Sequence, residues 1–229
     1  MSDGLRPRAG LHRVSEPEPR ASGGAEGNER LTAMTGAVLL VLLAAEGFTI
    51  LSLRQLLTPH FFIGMLLLGP VALKAGSTIY RFARYYTGSA PYRRKGPPAP
   101  LLRLLGPVVI ASTVAVFGTG IALAVTGPAG RQPWLFLHKA SFVIWFCAMT
   151  IHVLAYLPRL PTLLASEARG AAATESSGQP GRDYGGRATA ALGGRGLRLA
   201  LLVASLVAGL VIAVLTVHLA VPWHSGGPG

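Results

Sequence analysis

Five blocks of apolar residues, each about the length needed to cross a bilayer, constrain this chain more than any other feature. They run over residues 31–53, 60–80, 104–125, 134–157 and 197–222. A spanning α-helix takes about 20 apolar residues. Hydrocarbon offers backbone groups no partners, so only helices and closed barrels can cross it. Blocks of this length predict helices. The chain is therefore expected to be an all-α integral membrane protein, a bundle of about five transmembrane helices whose core is the bundle itself. A mean hydropathy of +0.48 agrees.

The remaining segments divide the chain. Residues 1–30 are rich in Gly, Pro, Ser and Glu and read as a disordered tail. They are not a cleavable signal, because the first apolar block begins too late and runs too long. Residues 31–158 form a four-helix unit. Residues 159–196, rich in Gly, Ala and Ser, read as a flexible loop. Residues 197–222 add a fifth helix, and residues 223–229 a short tail. The short links 54–59 and 126–133 make the first and second helices, and the third and fourth, antiparallel neighbours.

The formal net charge of +12 invites a nucleic-acid reading. Its placement argues for topology instead. Arg81, Arg84, Arg93, Arg94, Lys95 and Arg103 lie between the second and third blocks, and Arg159, Arg169, Arg182, Arg187, Arg195 and Arg198 between the fourth and fifth. The N-terminal tail holds five more arginines, while the short links hold only Arg54 and Arg131. By the positive-inside rule the N-terminus and both long loops are cytoplasmic and the C-terminus is outside. The partner these charges imply is the lipid bilayer, through its anionic lipid, and not nucleic acid. The lone Cys147 excludes a disulfide framework and a thiolate metal site. No phosphate loop, dinucleotide glycine motif, CxxCH or HExxH is present. The Ala, Gly, Arg and Pro usage suggests a high-GC bacterial genome, hence the inner (plasma) membrane.

The chemistry lies in histidines placed by depth. On the fourth block His138 and His152 are 14 residues apart, a rise of about 21 Å that returns the second to within about 40° of the first. His60 precedes Arg81 by 21 residues, and His138 precedes Arg159 by the same 21. Lys74 and His152 each precede their arginine by seven. HFFIGMLLLGPVALKAGSTIYR thus lies in register with HKASFVIWFCAMTIHVLAYLPR, a weak internal repeat of a helical hairpin. Two imidazoles at one depth on parallel helices can take a b-type heme between them, one axial nitrogen from each side. Gly64, one turn below His60, would give the macrocycle room, as would Ala140, Ser141 and the Gly118–Thr119–Gly120 run. Close helix packing explains the same small residues equally well. His218 reaches the same level and is either a further ligand or an interfacial side chain. His224 belongs to the exposed tail, and His12 to the N-terminal one. Lys74 stands where a second histidine pair would need an imidazole. Glu46 is a protonated acid, a partner of Lys139, part of a proton path, or a structural acid.

Carried by His60, His138 and His152, the chain resembles the bacterial membrane cytochromes b. These include di-heme cytochrome b carriers, ferric-reductase-like domains and the heme-bearing anchor (gamma) subunits of formate dehydrogenases and hydrogenases. The resemblance implies a four-helix heme-type bundle with heme b between helices; the one extra helix, 197–222, and the long loop before it depart from that pattern. It implies electron transfer to a redox partner protein or a quinone, as an electron-transfer subunit rather than a stand-alone catalyst. On that pattern His60 and His138 are the iron ligands, with His152, His218 and Gly64 as further cofactor-binding candidates. Lys74 departs from the two-heme pattern. Two other readings stay open. One is a heme-free polytopic protein, a small transporter or complex partner, with histidines in proton relay or packing. The other is a zinc or copper site of His60, His138 and His218. For the topology, a membrane-impermeant thiol reagent should label a cysteine at Gly229 in intact cells, and one at Gly88 only after lysis.

Overall fold

The computed structural model describes residues 25–94, 100–159, 161, 165 and 192–225, helical almost throughout and without a strand among them. The helices are α1 (Ala25–Ile50), α2 (Leu53–Tyr86), α3 (Ala90–Arg94), α4 (Pro100–Thr126), α5 (Trp134–Tyr156), α6 (Leu197–Thr216) and α7 (Pro222–Ser225). Five of these helical stretches are long and apolar enough to cross a membrane, built on α1, α2, α4, α5 and α6. Large side chains such as Val41, Phe48, Val114, Phe136, Leu154 and Leu215 are left exposed on their outer faces. In a bilayer those faces meet lipid. Tail residues 1–24, with His12, and loop residues 166–191 lie outside the described residues.

Two helix boundaries differ from the sequence expectation. First, α1 begins at Ala25, ahead of the apolar block, and its first turn is anchored by Asn28, whose side-chain amide donates to the Ser77 carbonyl at 3.1 Å. Second, the link 54–59 is helical. The chain reverses in two residues after Ile50, with Leu51 N–H donating to the Phe48 carbonyl, and α2 then starts at Leu53. Leu56 leaves helical geometry (φ −106, ψ 21). Pro59 is the cause within reach: it has no N–H for the Gln55 carbonyl, and its ring crowds that carbonyl.

α2 is the central helix. It packs against α1 on one side and α6 on another, while α4 and α5 pair with each other. Among the described residues the two groups approach most closely where α2 and the 3-10 turn Val217–Ala220 reach α4. There Met65, Ala124 and Ala213 form a small core with Phe61, Phe62, Ile212 and Leu219 around it. α2 and α5 have little close backbone packing on each other.

The α2–α6 crossing is the tightest in the bundle. A Cβ added to Gly69 would overlap the Ser205 carbonyl, and one added to Gly209 would overlap the Leu66 carbonyl. Pro70, fully buried, explains the second contact in part. It lacks the N–H that would have bonded Leu66, so that carbonyl is free to turn toward α6. Small residues permit such approaches in lipid, where packing has to replace the hydrophobic drive between helices. Gly69→Ala and Gly209→Ala should each cost about 1–3 kcal/mol by thermal denaturation in detergent. Gly76→Ala, where a Cβ would meet nothing within 4 Å, should cost nothing measurable.

Candidate functional site

The kinked start of α2 carries His60 back toward the end of α1. There its Nδ1 lies 2.9 Å from Glu46 Oε1 and 2.9 Å from Thr49 Oγ1. The Thr49 hydroxyl donates its one proton to the Glu46 backbone carbonyl. Toward His60 it can therefore only accept, so Nδ1 is the protonated ring nitrogen and is shared between Thr49 and the carboxylate. Glu46 is thus the partner of His60 and not of Lys139, which is exposed at the start of α5. The tight α1–α2 reversal decides this, because it folds the last turn of α1 onto the first turns of α2. Gly64 makes room for the same carboxylate: a Cβ there would stand 3.4 Å from Glu46 Oε1. The second carboxylate oxygen, Oε2, is buried with no hydrogen-bond partner among the described residues.

His138, in the first turns of α5, is held by α4. Its Nδ1 lies 3.1 Å from the Val116 carbonyl and 3.2 Å from Thr119 Oγ1. A carbonyl only accepts, so here too Nδ1 carries the proton. Thr119 also meets Ser141 Oγ at 3.3 Å, which locks the α4–α5 pair at this level. Gly120 lies under the ring: a Cβ there would stand 3.2 Å from His138 Cε1. Gly118 has no such neighbour within 4 Å.

His60 lies within electrostatic reach of His138, and Lys74 within reach of His152. Both depth-matched pairs are therefore brought near each other. Their surroundings differ. At the first level both imidazoles are fixed through Nδ1, and neither Nε2 has a hydrogen-bond partner among the described residues. At the second level Lys74 donates to the Thr32 carbonyl at 2.6 Å and fills the space over Gly36. Thr32 Oγ1 and Ser77 Oγ meet 3.0 Å apart beside it. The His152 ring packs on Tyr156, centroids 4.9 Å apart.

His218 does not join these groups. It lies exposed in the turn Val217–Ala220. Among the described residues no group of three or more His, Cys, Asp or Glu side chains is gathered to hold a metal ion. The three-imidazole zinc or copper site is thus not formed, because the fifth helix ends in a turn that leaves His218 outside. His224 is exposed as expected, yet its Nε2 lies 2.7 Å from Thr58 Oγ1 and ties the end of the chain to the start of α2.

Sequence reasoning missed Thr49 and the Val116 carbonyl. Thr49 carried a usable signal, standing two residues before the α1–α2 reversal, on the turn that folds back beside His60. A backbone carbonyl carries none.

Comparison with protein-family models, with curated proteins and with solved structures finds no match to this chain. The site therefore rests on its own chemistry. An imidazole whose Nδ1–H is held by a carboxylate or carbonyl presents Nε2 as a fixed, strengthened donor to a metal. Thr49→Val should leave His60 without one anchor, cost about 1 kcal/mol of stability, and change the 15N shifts of the His60 ring while leaving those of His138 in place.

Proposed function

We propose that this chain is an integral membrane b-type cytochrome, with one heme b held by His60 and His138. One observation carries the reading. Two imidazoles on different helix pairs have their Nδ1 protons committed to protein acceptors, and neither Nε2 has a hydrogen-bond partner among the described residues. An unpaired ring nitrogen in apolar surroundings is costly, and His60 and His138 would satisfy theirs by holding the heme iron. A heme bound there supplies one-electron exchange.

The chain's own residues would do the rest. Thr49 and Glu46 orient His60, and the Val116 carbonyl orients His138. The Glu46 charge beside His60 strengthens that imidazole as a donor. Met65, Phe61 and Phe62 keep water from the neighbourhood. His152 and Lys74 form a different kind of pair, so a single heme is proposed. The electron partner would be a membrane quinone or a partner protein, with the chain serving as an electron-transfer subunit in the plasma membrane.

A proton relay in a heme-free protein is less well supported. Along the α1–α2 interface the polar groups form two separate clusters. Between them residues 37–45 of α1 and 65–73 of α2 are entirely apolar, about 13 Å of wall. No side chain there can pass a proton.

Protein produced in a heme-sufficient host should show a Soret band and a reduced-minus-oxidised b-type spectrum. His60→Ala and His138→Ala should each abolish the low-spin spectrum, while His218→Ala and His152→Ala should keep it. Purified wild-type protein lacking a Soret band would remove the proposal.

A further inference from the structure

The basic end of α2 holds a cluster that the heme reading does not use. At 34 residues, α2 is about 51 Å long, against a hydrocarbon core of about 30 Å. Its apolar block ends at Tyr80 and arginines stand at 81 and 84, which sets the helix from Arg81 onward in the headgroup region. The chain then turns back. Gly88 takes φ 88, a conformation that favours glycine. Ser89 N–H donates to the Arg84 carbonyl, and Arg84 Nη2 donates to Ser89 Oγ at 3.2 Å. Helix α3 is thereby folded against α2. Tyr92 becomes buried, its ring edge-on to Tyr80 with centroids 6.2 Å apart.

This fold-back gathers charge of one sign. Tyr92 feels the positive charges of both Arg84 and Arg81, and the Arg93 guanidinium carbon lies 4.0 Å from where a Gly88 Cβ would be. All three arginines are exposed. No carboxylate pairs with any of them among the described residues, and the chain has no Asp or Glu between Glu46 and Glu167. Burial, followed by the neighbouring Tyr80, pushes the Tyr92 phenol up, so it stays a neutral hydroxyl in the cluster. Around the arginines stand exposed aromatic rings: Tyr80, Phe82 and Tyr86.

We infer that Arg81, Arg84 and Arg93, with the α2–α3 turn, form a binding site for the headgroup phosphate of an anionic phospholipid. Guanidinium forks suit phosphate oxygens. The depth matches a headgroup, and the adjoining rings offer the apolar contact that an acyl chain and glycerol region need. An acidic soluble partner would leave Phe82 and Tyr86 without that contact. The site is independent of whether the histidines hold heme.

The test uses the full chain in nanodiscs of phosphatidylcholine with increasing phosphatidylglycerol, with bound lipid read by native mass spectrometry after gentle extraction. Wild type should retain phosphatidylglycerol over phosphatidylcholine. Each of Arg81→Gln, Arg84→Gln and Arg93→Gln should weaken that retention about fivefold at low salt. Arg54→Gln, at the opposite end of α2, should not change it. Equal retention of the two lipids by wild type would overturn the site, and that arm needs no variant to fold. Undiminished preference in the triple Arg→Gln variant would also overturn it. So would binding of a polyglutamate peptide, or of inorganic phosphate, as tight as that of phosphatidylglycerol.

Discussion

Hydrocarbon leaves a polar group no partner but the protein itself, and α2 is where this chain concentrates that demand. The helix carries His60, Lys74 and Ser77 on the faces that meet its neighbours. Each is satisfied by α1: Glu46 and Thr49 for the first, the Thr32 carbonyl for the second, Thr32 Oγ1 for the third. α1 is therefore fastened to α2 at both ends by hydrogen bonds and along the middle by apolar contact. α6 is fastened differently, through backbone approach at Gly69 and Gly209. One helix thus serves as the spine for two kinds of packing, each suited to what lipid permits.

The α4–α5 pair stands somewhat apart, and that separation gives the site its character. His138 takes its orientation from α4 and not from α2, so each imidazole is anchored by the helix beside its own. Neither anchor draws on the opposite ring, and neither Nε2 has a hydrogen-bond partner among the described residues. The second level shows the contrast. Lys74 turns to α1 for its acceptor, leaving His152 against Tyr156. Two positions in matching register thus have different chemistry, and only the first has the symmetry of a ligand pair.

Much of the frame was legible beforehand. Apolar block length is a property of the chain itself, and it marked all five spanning helices. The antiparallel neighbours followed from short links, and the His60–His138 and Lys74–His152 levels from counting back to the arginines. The helical state of residues 54–59 was not legible. A Pro-containing polar stretch reads as a loop, and only the two-residue reversal after Ile50 leaves it free to continue the helix. The partner of Glu46 was not legible either, since its choice between Lys139 and His60 depends on which helix α1 packs against.

The sequence by itself determined that this chain has five helices long and apolar enough to cross a membrane, and how far along its helix each ionisable group stands. Both follow from local quantities, apolar run length and the 1.5 Å rise of a helix. Only the tertiary structure decided how each helix is turned about its axis. Rotation sets which nitrogen of each histidine meets an acceptor and lays Gly69 against Gly209. It is fixed by contacts between residues far apart in the chain, such as Thr49 with His60 and Val116 with His138, and no single segment carries that information.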